Sequence, residues 1–221
     1  MEDKKPKPYN PRDIEPTIAE EPLVMYGTLD LDESMRYTYA DYLTWFDDKR
    51  RELINGFIHL MSAPIRTHAE ISAELITSIR TFINKRKGKC RAYHAPFDVR
   101  LPKNNETAYD KIDTVVQPDI CVICDLSKLD EKGCVGAPDL IVEVLSPSTF
   151  RKDRGYKFNL YELHGVREYW LVDPKEKTVN VFLLQPDGRY DSGTVYECNQ
   201  KAPVRIFEGL EINLKKLFAI Y

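Results

Sequence analysis

Two acids lie inside the most apolar stretches of this chain. Glu143 stands in Asp139-Leu140-Ile141-Val142-Glu143-Val144-Leu145-Ser146, with Ile141 and Leu145 on its own strand face and Val142 and Val144 on the other. Asp119 has a comparable place in Val115-Val116-Gln117-Pro118-Asp119-Ile120-Cys121-Val122-Ile123. A buried carboxylate without a partner costs several kcal/mol, so such acids call for a cation, a metal or a raised pKa. Lys157 follows on the next predicted helix, and two core-strand carboxylates with a lysine in reach suggest a divalent-metal site. Pairing the two strands would set the carboxyls about 5 Å apart. Mg²⁺ or Mn²⁺, with ligand distances near ~2.1 Å, could bridge them and keep several waters. Asp139 shares the strand and face of Glu143 but lies about 13 Å away, too far to share one ion. Lys157 lies roughly 15 Å into its helix, and its side chain leans toward the helix N-terminus. A helix folding back over the sheet therefore brings the amine level with Glu143.

The elements that must position these groups are readable from pattern. Thr38 is a plausible N-cap for a short helix with Tyr42, Leu43, Phe46 and Trp45 on its apolar side. Asn55-Gly56 between Glu52-Leu53-Ile54 and Phe57-Ile58-His59-Leu60-Met61 is the strongest hairpin signal in the chain. Ile71, Leu75, Ile79, Phe82 and Ile83 predict a helix from about Thr67 to Lys85, with Gly88 soon after its end. Strands are expected near 91–101, 115–124 and 139–146, the last two apolar on both faces as central strands are. Ser146, Pro147 and Gly165 suit the cap, first turn and end of a helix reaching His164. Strands at Glu168–Val172 and Thr178–Leu184 follow, with shorter ones to about Gly209. The expectation is an α/β fold of α+β type: one mixed main sheet, helices on both faces and a β-rich C-terminal part.

Of 221 residues, 43% are hydrophobic, enough for one sizeable core. Residues 1–34 hold five prolines, four Lys/Arg and nine Asp/Glu, which reads as an acidic arm before a single domain at 35–221. The domain is near neutral, which neither demands nor excludes nucleic acid. No apolar run reaches membrane-spanning length, and the N-terminus lacks a secretory signal, so a soluble, cytoplasmic protein is expected. Five cysteines fit a reducing compartment better than a disulfide framework. The Cys121–Cys124 pair has zinc-knuckle spacing, but its sulfurs point to opposite strand faces, so both read as core cysteines.

Each candidate has an ordinary reading beside the chemical one. Glu143 could be a structural ion pair with Lys157 or Arg154, and Asp119 a turn residue after Pro118. Lys157 could pair with Asp153 on a solvated helix face. Glu52 is a further acid for the metal or an exposed hairpin residue. His68 is a helix cap, a surface residue or a site residue. Tyr161 touches the lysine or a phosphate, or packs between helix and sheet. Arg80, Lys85, Arg86, Lys87, Lys89 and Arg91 form an acid-free cluster that could meet phosphates or simply end a solvated helix.

The ordered blocks "RELINGFIHL", "VQPDICVICD", "GAPDLIVEVLSPST" and "HGVREYWLVDP", together with His68, Asp153, Lys157 and Tyr161, resemble the Uma-type restriction-endonuclease family of the PD-(D/E)xK nuclease superfamily. The resemblance covers roughly residues 38–185. It implies a restriction-endonuclease-like fold in which Asp119 and Glu143 hold Mg²⁺ or Mn²⁺ and Lys157 completes the triad, hydrolysing phosphodiester bonds of DNA. The superfamily's lysine two positions after the glutamate is replaced here by Leu145, and Lys157 on the following helix takes its role. Competing expectations are a non-catalytic nucleic-acid-binding or assembly module of the same fold, and a hydrolase of RNA or branched nucleic acid. Cutting both strands would favour a homodimer.

Overall fold

The computed structural model describes residues 31–104, 106–146 and 152–220, with backbone alone for 152–154 and 220. The expected arm therefore lies almost wholly outside the described residues. In chain order the elements are α1 (Tyr39–Tyr42), β1 (Arg51–Ile54), β2 (Phe57–Leu60), α2 (Arg66–Lys85), β3 (Arg91–His94), β4 (Val99–Arg100), β5 (Val115–Val116), β6 (Ile120–Ile123), β7 (Leu129–Asp130), β8 (Gly133–Val135) and β9 (Leu140–Val144). A π-helical segment, Lys152–Lys157, leads into α3 (Phe158–His164). The C-terminal part holds β10 (Glu168–Asp173), β11 (Thr178–Leu183), β12 (Thr194–Glu197), β13 (Lys201–Pro203), β14 (Glu211–Asn213) and α4 (Leu214–Leu217).

The strands form two mixed six-stranded sheets, ordered β2-β1-β5-β4-β8-β7 and β12-β11-β10-β9-β6-β3, and a β13-β14 ribbon. The mixed α+β class and the β-rich C-terminal part are as expected; the single main sheet is not. The expected strands at 91–101 and 115–124 each break in two, and the halves serve different sheets. The breaks contain Pro96 and Pro118, which have no N–H to continue a ladder. Because β3 pairs with β6 and β4 with β5, this hairpin crosses from one sheet to the other at the prolines.

Packing follows the strand alternation. One face of the second sheet, through Val122, Val142 and Val144, buries Ile71, Leu75, Ile79 and Ile83 of α2. Its other face, through Cys121, Ile141 and Leu171, packs on Ile54, Val99 and Val116 of the first sheet and on Leu160 and Tyr161 of α3. Helices thus cover both faces. Asn55 and Gly56 make the β1–β2 turn with φ of 52° and 83°, the left-handed region that Asn and Gly tolerate best. Thr38 caps α1 with a reciprocal Asp41 contact, but the helix ends at Tyr42; Tyr39 is its buried residue, while Phe46 is exposed. Glu168 is fully buried on β10 and accepts from Trp170 Nε1 at 2.7 Å, Arg205 N at 3.0 Å and Ile206 N at 2.8 Å, tying the 204–210 loop to the sheet. Burial pushes its carboxyl above the usual range, against those hydrogen bonds.

The cysteine expectation needs one correction. Continuing the Arg91↔Ile123 register brings Cys90 opposite Cys124, with Cα atoms 4.0 Å apart, and the two form a disulfide. Cys121 and Cys134 are free and buried, as core cysteines should be, and Cys198 is exposed. Among the described residues, no helix is long and apolar enough to cross a membrane.

Candidate active site

Antiparallel pairing of Ile120 with Val142 puts Asp119, just before β6, across from Glu143. Asp119 Oδ2 accepts from the Val144 backbone N–H at 2.7 Å and lies 3.0 Å from His68 Nε2. His68 is the third residue of α2, whose N-cap Ile65 makes no side-chain bond, so the histidine belongs to the site rather than to a cap. Its Nδ1 is buried with no hydrogen-bond partner among the described residues. With a carboxylate oxygen as its partner, Nε2 is the ring nitrogen that donates to Asp119.

Glu143 is 3% exposed, and its Oε1 accepts from Lys157 Nζ at 2.8 Å and from Tyr161 O–H at 2.7 Å. Lys157 is equally buried and also contacts Glu52 Oε1 at 2.9 Å. It does not lie on a solvated face. The widened helix before α3 aims it inward, and the side chain of Asp153 falls outside the described residues. Glu52 is fully buried, which overturns the exposed-hairpin reading: β1 is covered on both faces, Leu53 packing with Tyr39 and Ile112 while Ile54 joins the second-sheet core and Glu52 meets Lys157. Burial and the nearby Glu143 and Glu52 carboxylates hold the Tyr161 phenol well above its usual range, so it stays a proton donor to Glu143.

Glu52, His68, Asp119, Glu143 and Lys157 line one cavity of about 550 Å³, together with Arg50, His94, Ser146 and an uncharged, mainly apolar wall from Leu60 to Ile65. Asp139 has gone elsewhere, pairing with Arg167 at 2.9 Å and accepting from Cys124 N at 2.8 Å near the opposite end of the strand. The basic cluster is also apart. Its six side chains are exposed, and Lys85 lies 17 residues beyond His68, about 25 Å along the helix at 1.5 Å per residue.

No group of three or more His, Cys, Asp or Glu forms a ready metal cage among the described residues. The donor chemistry nevertheless fits Mg²⁺ or Mn²⁺, which bind hard oxygen through one or two carboxylates and keep several waters. Glu52, Glu143 and Asp119 against Lys157 leave the floor a formal charge of minus two, matching one divalent cation. The hydrogen bonds formed by the Asp119 carboxylate involve Oδ2, so Oδ1 is the oxygen it would offer.

A family model named Uma2, described as "Putative restriction endonuclease", matches residues 39–215. The chain belongs to the Uma2 family. A curated relative, the uncharacterized protein slr1290 of Synechocystis sp., is 30% identical over 151 residues, 67% of this chain and 74% of that protein. A solved structure from Anabaena variabilis, described as a putative nuclease belonging to DUF820, superposes with a TM-score of 0.66 at 23% identity over 83% of this chain and 98% of the other. That likeness shows the shared fold.

Sequence reasoning missed the group that organises the floor of this Uma2 site. Gln117 donates its backbone N–H to Glu52 Oε1 at 3.0 Å, its Nε2 to Tyr42 Oη and Asp98 Oδ1, and accepts from Arg50 at 2.8 Å. Asp98, largely buried, has its carboxyl pushed above the usual range by desolvation. Gln117 stands two residues before Asp119 in the matched block, a signal that was available; Arg50 and Asp98 carried none.

Proposed function

We propose that this protein is a Mg²⁺- or Mn²⁺-dependent endonuclease that hydrolyses phosphodiester bonds of DNA. The observation that carries the reading is the meeting of Asp119, Glu143 and Lys157 in one cavity of a chain that belongs to a restriction-endonuclease-like family. Asp119 and Glu143 would hold the ion, which when bound supplies an acidified water and neutralises phosphate charge. Val144 N and His68 fix the Asp119 carboxylate, and Tyr161 fixes Glu143. Lys157, within a lysine's swing of the same floor, orients the attacking water and stabilises the charge that grows on the phosphoryl oxygens.

A second reading rests on the same ion pair. Lys157 already pairs with both Glu143 and Glu52, so the cluster also suits a non-catalytic nucleic-acid-binding module that keeps the fold. Calorimetric titration of Mn²⁺ separates the two. Saturable binding lost in both Asp119→Asn and Glu143→Gln, with the fold kept, supports the nuclease. Identical behaviour of wild type and variants, together with no cleavage of single- or double-stranded DNA in Mn²⁺, sinks it.

A further inference from the structure

The cavity has two chemically distinct sides. Its floor is charged, while its outer wall is the β2–α2 connection, residues 60–65, reading Leu-Met-Ser-Ala-Pro-Ile without one ionisable side chain. Leu60 and Ile65, at the two ends of that wall, leave 57% and 59% of their surface open to solvent. A rim that grips duplex DNA carries cations for the phosphates. This rim carries no charge of its own, the neighbouring Arg66 is paired with Glu70 at 2.9 Å, and Arg80, the nearest member of the basic cluster, lies 12 residues beyond His68, about 18 Å along the helix. Arg50 supplies a cation inside the cavity, where its Nε and one terminal nitrogen both donate to Gln117 Oε1, at 3.2 and 2.8 Å.

We propose that the cavity admits an unpaired nucleotide, its base packed against the Leu60–Ile65 rim and its phosphate lowered between Arg50 and the carboxylate floor. The proposal rests on the nuclease reading and narrows its substrate to single-stranded or locally unpaired nucleic acid. Glu52, Glu143 and Lys157 are at most 3% exposed, so a phosphate must descend below the protein surface to reach them. A phosphate on an unpaired strand, free to rotate about its backbone, makes that descent more readily than one held in a regular duplex. The volume agrees, lying within the roughly 300–1,000 Å³ of sites that enclose one small ligand. An apolar wall that packs on a base face accepts any base, so the selectivity is for strand state rather than sequence.

The test is fluorescence anisotropy in calcium buffer with one oligodeoxynucleotide sequence presented as single strand, as blunt duplex and as duplex with one unpaired internal nucleotide. Single strand should bind at least about tenfold tighter than blunt duplex, with the bulged duplex between them. Leu60→Ala/Ile65→Ala should weaken single-strand binding about tenfold while its thermal midpoint stays at the wild-type value, since both side chains are largely exposed. Ile65→Ala alone and Arg50→Gln provide the same test if the double variant folds poorly. Equal affinity for blunt duplex and single strand, or rim variants that bind like wild type, overturns the proposal; if Mn²⁺-dependent cutting of duplex persists, the nuclease reading stands without it. No binding to any of the three and no cutting defeats both.

Discussion

Lys157→Met separates the two loads this lysine carries. Wild-type Nζ sits 2.8 Å from Glu143 and 2.9 Å from Glu52, with all three side chains at most 5% exposed. Methionine keeps the length of the chain and removes the charge, leaving two buried carboxylates facing each other. Breaking a buried pair costs about 3–5 kcal/mol, and for a domain of this size each kcal/mol lowers the melting midpoint by about 2–4 °C. Urea unfolding followed by the fluorescence of buried Trp170 measures the loss directly. Adding Glu143→Gln to the methionine variant should recover part of it, because the penalty comes from uncompensated charge. The same variant should bind Mn²⁺ more tightly than wild type, since the floor goes from a formal minus two to minus three, yet it should not cut DNA. A loss below about 1 kcal/mol, the size of an exposed pair, would refute the buried-triad account. Weakened Mn²⁺ binding would refute the electrostatic one.

Three further outcomes follow from the same geometry. Tyr161→Phe removes a 2.7 Å donor to Glu143 and should cost about 1–3 kcal/mol in urea unfolding while slowing any cleavage; an unchanged midpoint would deny that contact. Glu168→Gln leaves one of three donors facing an amide N–H, for about 1–3 kcal/mol at neutral pH. The folded carboxyl of Glu168 lies above its unfolded value, so the proton-linked part of its contribution is full below the ordinary glutamate range and is lost as pH rises through the raised one. The wild-type advantage over Glu168→Gln should therefore shrink on going from acid to neutral pH, and a constant difference would contradict the assigned burial effect. Reducing Cys90–Cys124, or Cys90→Ser, opens a loop with a sequence separation of 34 and should lower stability by about 2–4 kcal/mol; calorimetry with and without reductant checks it.

Local rules made much of this fold legible. Asn55-Gly56 announced its hairpin, the apolar period of 71–83 its helix, and strand alternation put Asp119 and Glu143 face to face. What escaped was long-range. Pro96 and Pro118 were visible as ladder breakers, but that both halves of the interrupted hairpin would enter different sheets depends on pairings with β1 and β9 that no local window contains. Glu52 stayed open between a site acid and an exposed hairpin residue because a four-residue strand gives no sign of being covered on both faces. Helix geometry already placed Lys157 within reach of Glu143, whereas its contact with Glu52 required the first sheet to be present. The Cys90–Cys124 bond depends on a register set by the strands themselves.

Glu52 rides on the first sheet and Glu143 on the second, and Lys157 is the rivet driven through both. The residues that would cut a phosphodiester are thus also a fastening between the two halves of the core. A descendant that abandons cleavage cannot shed Lys157 or Glu143 singly without loosening that fastening. Selection for folding alone would preserve the pair, whereas Asp119 and His68 hold no cross-sheet ion pair, and folding keeps only the lesser claim of the Val144 N–H on Asp119. In relatives of this chain, persistence of the latter two is therefore the sharper mark of an enzyme still at work.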